Sequence, residues 1–124
     1  MRPVADDGVL LIVEDDDSVR RALRRFFELY FAKVLTAASA SEAETQLETG
    51  RPHLLLCDYY LGARSPLATA LIPRWRQAFP FLSRVAIMTG TSHELRDDAH
   101  GAEAVFNKPL NMQHVLQFLR GETD

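Results

Sequence analysis

Hydrophobic and polar residues along this chain fall into blocks with changing period. Residues 9–13 are an unbroken apolar run that stops abruptly at Glu14-Asp15-Asp16-Asp17. A run so short and continuous suits a strand covered on both faces. From Val19 the period changes. Val19, Ala22, Leu23, Phe26, Phe27 and Tyr30 follow the spacing of a helix with one buried stripe. Residues 34–37 predict a second strand. Ser39 with Glu42 three positions on has capping-box form, and predicts a helix running toward Gly50, a suitable C-terminal cap. Leu54-Leu55-Leu56-Cys57 is a third apolar run, again ended by an acid, Asp58. A helix is expected after Ser65-Pro66, since proline suits the first helical position, and Pro73 should kink or shorten it.

Residues 85–88 predict a fourth strand, and Thr91 with Glu94 offers a second capping box. Residues 104–106 predict a short fifth strand. Met112, Val115, Leu116 and Leu119 mark a last amphipathic helix after Asn111. Strands alternating with helices imply an α/β three-layer sandwich, a parallel sheet with helices on both faces. Ligands of such sheets bind beyond the carboxyl ends of the strands. The residues just past each strand are therefore the place to look for chemistry.

Composition narrows the possibilities. The chain has 124 residues, enough for one core, with 47% apolar and 25% charged residues, a globular balance. A net charge of −3 argues against a general nucleic-acid-binding surface. No apolar run approaches the roughly 20 residues of a membrane span, and residues 1–8 lack a secretion signal's apolar segment, so a cytoplasmic protein without membrane insertion is expected. The single cysteine, Cys57, has no internal partner and reads as a small buried hydrophobe. His53, His93, His100 and His114 show no metal-ligand spacing. Trp75 and the phenylalanines read as core.

The strand ends carry a constellation. Glu14 and Asp15 follow the first strand and Asp58 the third, while Thr89 ends the fourth and Lys108-Pro109 the fifth. With strand order 2-1-3-4-5 these ends converge on one pocket. Three carboxylates at short range repel one another without a counter-charge. Lys108 and a divalent cation would balance them, and Mg²⁺ is the natural choice for hard oxygen ligands. A phosphoryl group on Asp58 would add oxygens for Mg²⁺, Thr89 and Lys108 to contact.

Leu11-Ile12-Val13-Glu14-Asp15-Asp16, Leu56-Cys57-Asp58-Tyr59-Tyr60-Leu61, Ile87-Met88-Thr89-Gly90 and Asn107-Lys108-Pro109-Leu110 resemble, in order and spacing, the four signature segments of response-regulator receiver domains. The resemblance implies a receiver domain over residues 9–120, flanked by an N-terminal extension (1–8) and a C-terminal tail (121–124). It implies a flavodoxin-like sheet of order 2-1-3-4-5. Asp58 would accept a phosphoryl group from a histidine kinase or a histidine phosphotransfer domain, without being a turnover enzyme. Mg²⁺ would be held by Glu14, Asp15, Asp58 and the backbone carbonyl of Tyr60. Thr89 would bond a phosphoryl oxygen and Lys108 would pair with Asp58 or its phosphate. The Lys108–Pro109 bond would be cis, as is common in the family. A downstream protein target is implied, though none is named by these residues.

Several positions depart from the family pattern. Gly62-Ala63-Arg64-Ser65-Pro66 replaces the usual loop after the acceptor. Val105 stands where an aromatic switch residue is usual, and Phe106 beside it should face the other side of its strand. Only 12 positions separate Thr89 from Gly101, so the helix between the fourth and fifth strands is expected to be shortened by about one turn of 3.6 residues. Arg20, Arg21, Arg24 and Arg25 lie off the buried stripe, either as a solvated face or as a docking surface for the phosphodonor. Two other functions compete: a receiver-like docking module independent of phosphorylation, and a small phosphohydrolase or flavin-binding protein. The last is disfavoured. No glycine-rich loop follows the first strand, and Tyr60 occupies the place of a second catalytic acid.

Overall fold

A computed structural model of the protein describes residues 8–90 and 101–122. Strands β1 (Val9–Val13), β2 (Lys33–Ala37), β3 (Leu54–Asp58), β4 (Arg84–Thr89) and β5 (Ala104–Asn107) form one parallel sheet of order β2-β1-β3-β4-β5. Around it lie α1 (Asp17–Phe27), α2 (Ala40–Gly50), α3 (Ala68–Ala78) and α4 (Met112–Leu119). The expected short helix between β4 and β5, with its Thr91–Glu94 capping box, falls outside the described residues.

The apolar runs are continuous because both faces of the sheet are covered. Leu11, Val13, Leu55, Cys57, Val85 and Ile87 pack under Ala43 and Leu47 of α2 and Leu71, Ile72 and Trp75 of α3. Leu10, Ile12, Leu54, Leu56, Ala86 and Met88 pack under Leu23 and Phe27 of α1 and Val115, Leu116 and Leu119 of α4. Each such aliphatic side chain contributes roughly 1.5–3 kcal/mol by leaving water. On β5 the alternation holds as expected: Val105 joins the α2/α3 side, whereas Phe106 joins the α1/α4 side with its ring 5.9 Å from that of Phe118.

The helix boundaries follow local chemistry. Asp16 caps α1, its carboxylate accepting the Val19 amide at 3.0 Å. Ser39 accepts the Glu42 amide at 3.1 Å, while the Glu42 carboxylate reaches back to the Ala38 amide at 2.8 Å.

Three expectations shift. The buried stripe of α1 is narrower than its periodicity, with Val19 and Ala22 exposed. Gly50 is the last residue of α2 rather than its cap, and Arg51 takes the left-handed position at φ 49°. Glycine at 50 leaves room for Leu35, because a Cβ there would lie 2.3 Å from Leu35 Cδ1 and would force that side chain to shift. α3 starts at Ala68 rather than at Pro66, since the Ala68 amide is tied to the Tyr59 carbonyl at 3.0 Å. Pro73 stands inside α3 without ending it, and its ring lies where a side chain on Gly101 would approach to 3.3 Å.

Candidate functional site

The parallel register brings the strand ends level. Val13 lies beside Cys57, Asp58 beside Met88, and Thr89 beside Asn107. The next residues of each strand therefore open into one cleft. Glu14, Asp15, Asp16, Asp58, Tyr59, Tyr60, Thr89, Gly90 and Lys108 line this space of about 510 Å³. Every site residue singled out in the sequence reaches it.

Backbone bonds extend the sheet past its strands to hold these residues. The Glu14 amide donates to Ala37 carbonyl at 3.0 Å, Tyr59 to Met88 at 2.8 Å, and Lys108 to Thr89 at 2.8 Å. The Lys108–Pro109 bond is cis. Tyr59 spends its amide on Met88 and its carbonyl on Ala68, whereas the Tyr60 carbonyl accepts no hydrogen bond among the described residues.

Two of the three carboxylates are buried. Glu14 is 1% exposed and Asp58 is 7% exposed. The Lys108 ammonium donates to Glu14 Oε1 at 3.0 Å and to Asp58 Oδ2 at 3.2 Å. The other Glu14 oxygen accepts the Asp16 amide at 3.1 Å. Asp15 differs from both, because it is exposed and its side chain makes no hydrogen bond or ion pair among the described residues. Carboxylate oxygens of Glu14, Asp15 and Asp58 nevertheless lie within 4.8 Å of one another. Thr89 is buried at the cleft wall, 2% exposed.

The electrostatics are short of positive charge. Burial, then repulsion from Glu14, pushes the Asp58 carboxyl up to about 6, and Lys108 only partly offsets this. Burial opposes the charge on Lys108, but its bonds to Glu14 and Asp58 prevail and hold its ammonium above the usual lysine range. Burial, together with the Asp58 and Glu14 charges, pushes the Cys57 thiol far up, so this neighbour of Asp58 is inert as a nucleophile. Three converging oxygen donors facing one cation make the donor set of a hard divalent ion. The residues present fit Mg²⁺.

Two contributors escaped the sequence reading. Gly62 has φ 107°, and its Cα side faces Asp15 Oδ2, which would lie 3.9 Å from a Cβ there. Arg20 reaches back from α1 to the carbonyl of Glu14 at 2.9 Å. The i, i+3 spacing of Asp17 and Arg20 signals an ion pair, but nothing in the sequence signals this second contact.

A doubly covered parallel sheet of order 2-1-3-4-5, with an acidic cleft at its carboxyl edge, defines the receiver class of signalling domains. The response regulator receiver domain family matches residues 10–120, and the chain belongs to that family. It is similar to the N-terminal signal receiver domain of a two-component system response regulator from Bacteroides fragilis (23% identity, TM-score 0.79, covering 93% of this chain and 95% of that one). It is also similar to the signal receiver domain of a DNA-binding response regulator from Colwellia psychrerythraea 34H (27% identity, TM-score 0.76, covering 92% and 96%). A CheY-like receiver domain from Methylobacillus flagellatus aligns at 21% identity and TM-score 0.79, covering 94% and 98%. No curated protein matches the sequence. Among the described residues, no helix is long and apolar enough to cross a membrane.

Proposed function

We propose that this receiver domain accepts a phosphoryl group on Asp58 from a phosphohistidine of a histidine kinase or phosphotransfer domain, in a Mg²⁺-dependent step. The observation that carries the reading is the triad of Glu14, Asp15 and Asp58 oxygens gathered within 4.8 Å beside a single lysine. Asp58 Oδ forms the new bond to phosphorus as the phosphorus–nitrogen bond of the donor breaks. The departing imidazole nitrogen keeps the electron pair, and Asp58 is left as an acyl phosphate. Lys108, already bonded to Asp58, neutralises charge on the carboxylate and then on the phosphoryl oxygens. The Thr89 hydroxyl at the cleft wall bonds one of those oxygens. Glu14, Asp15, Asp58 and the Tyr60 carbonyl would hold Mg²⁺, which would offset the negative charge shared by carboxylates and phosphoryl group. With alignment and charge neutralisation as the whole catalytic contribution, the domain is a switch rather than a turnover enzyme.

The test is incubation with acetyl phosphate and with a phosphorylated kinase, read by intact mass. Wild type gains one phosphoryl group with Mg²⁺ and little with a chelator present, and Asp58→Asn gains none. Labelling of the Asn variant at the wild-type level would move the acceptor elsewhere.

A further inference from the structure

Asp15 is the least supported member of the cluster. Its neighbours Glu14 and Asp58 are clamped by Lys108, and Glu14 also by the Asp16 amide, whereas the Asp15 side chain has no partner among the described residues. Its direction is therefore set by the backbone of the turn between β1 and α1. That turn is fixed at its start by the Glu14 amide on Ala37, and at its end by Asp16 capping the Val19 amide. Between those two points the Glu14 carboxylate takes the Asp16 amide, and a second side chain spans the turn from end to end. The Arg20 guanidinium donates through Nη1 to the Glu14 carbonyl at 2.9 Å, and through Nη2 pairs with the Asp17 carboxylate. Its amide donates to the Asp16 carbonyl at 2.9 Å. With its side chain only 17% exposed, Arg20 is packed into the turn, unlike Arg21, Arg24 and Arg25 on the exposed face.

We infer that Arg20 is a positioning residue for the metal site: its planar fork locks the Glu14–Asp17 turn and so aims the unsupported Asp15 carboxylate at Glu14 and Asp58. The inference rests on the metal-binding reading above. A plain helix ion pair with Asp17 would leave the Glu14 carbonyl untouched. The bidentate reach across six residues is what ties the first turn of α1 to the end of β1. A partner shell of this kind tunes metal affinity without touching the ion.

The sign of the effect separates positioning from bulk charge. Removing a cation beside three carboxylates should, by electrostatics alone, tighten Mg²⁺ binding. Loss of a positioning bond should weaken it, by about 10-fold. The experiment titrates Mg²⁺ into the chelator-stripped full chain by calorimetry, with Arg20→Ala, Arg20→Lys and Arg21→Ala beside wild type. Arg20→Ala is expected to bind about 10-fold more weakly. Arg20→Lys should recover part of the loss, because one ammonium can still reach the Glu14 carbonyl. Arg21→Ala should bind as wild type or slightly tighter. Binding by Arg20→Ala at or above wild-type affinity overturns the inference, as does a Lys variant no better than Ala. Should circular dichroism show Arg20→Ala unfolded, Arg20→Gln takes its place: it removes the charge, which alone would tighten Mg²⁺ binding, and shortens the reach to the Glu14 carbonyl, so weaker binding supports the proposal and unchanged or tighter binding overturns it. A wild type that binds no Mg²⁺ would defeat the metal reading itself, before Arg20 is at issue.

Discussion

Leu56 and Asp58 stand two residues apart on β3, both withdrawn from solvent, and they act on the fold in opposite directions. Leu56 packs among Ile12, Ala86 and Met88 under α1 and α4, where removal from water stabilises it. Asp58 brings a charge into the same sheet beside Glu14, with one lysine between them. The middle of the sheet supplies stability. Its carboxyl edge gives some back so that a carboxylate can sit, half neutralised, where a phosphoryl group would arrive.

Breaking the middle should have the largest effect. Leu56→Ala leaves a cavity beneath two helices and should cost about 2–5 kcal/mol, measured by denaturant melts. A loss under about 1 kcal/mol would mean that this layer collapses to fill the space.

The edge should respond with the other sign. The folded state holds a proton on Asp58 more tightly than the unfolded chain does, since its carboxyl is raised to about 6. That contribution is fully present below about pH 4, the unfolded value, and is lost as pH rises through 6. Asp58→Asn removes the charge, so the metal-free variant should be more stable than wild type by about 1–2 kcal/mol at pH 7. The advantage should shrink to near zero at pH 4. Melts of both proteins in chelator across that range check it, and an advantage independent of pH would show that Asp58 is not the source. The same variant is expected to lose phosphoryl labelling, so one substitution would trade function for stability.

The smallest effect concerns how far a change at the edge spreads. Phe106 is packed against Phe118 on the α1/α4 side, and Val105, short and stiff about χ1, takes the other side. Neither is arranged as an aromatic rotor beside Thr89. Comparing free and beryllofluoride-bound protein by backbone NMR should show changes concentrated at Asp58, Thr89, Gly90 and Lys108. Large shifts centred on Val105 and α4 would instead reveal propagation through β5.

Much of this could be read from the chain. β1 and most of β3 are uninterrupted apolar runs because both faces of the central sheet are covered, and β1, β3, β4 and β5 each end at or beside a residue that enters the cleft. Position and chemistry were thus written together at Glu14, Asp58, Thr89 and Lys108. The misreadings came from three-dimensional neighbours that no local pattern encodes. Gly50 resembled a cap, yet its lack of a side chain serves Leu35 on the adjacent strand. Pro66 resembled a helix start, yet the Ala68–Tyr59 backbone bond sets it two residues later. Arg20 resembled one more surface arginine, because its bond to a backbone carbonyl leaves no trace in side-chain spacing.

The burial of Cys57 has a practical corollary. Its sulfur is sealed between α3 and the sheet and donates weakly to the Asp58 carbonyl at 3.4 Å, with the thiol held protonated. An alkylating reagent in solution can reach it only when β3 parts from its neighbours. The sole thiol of the chain is thereby a built-in clock for opening at the centre of the sheet. Its labelling rate, followed with and without Mg²⁺, would time how firmly an occupied cleft keeps β3 shut.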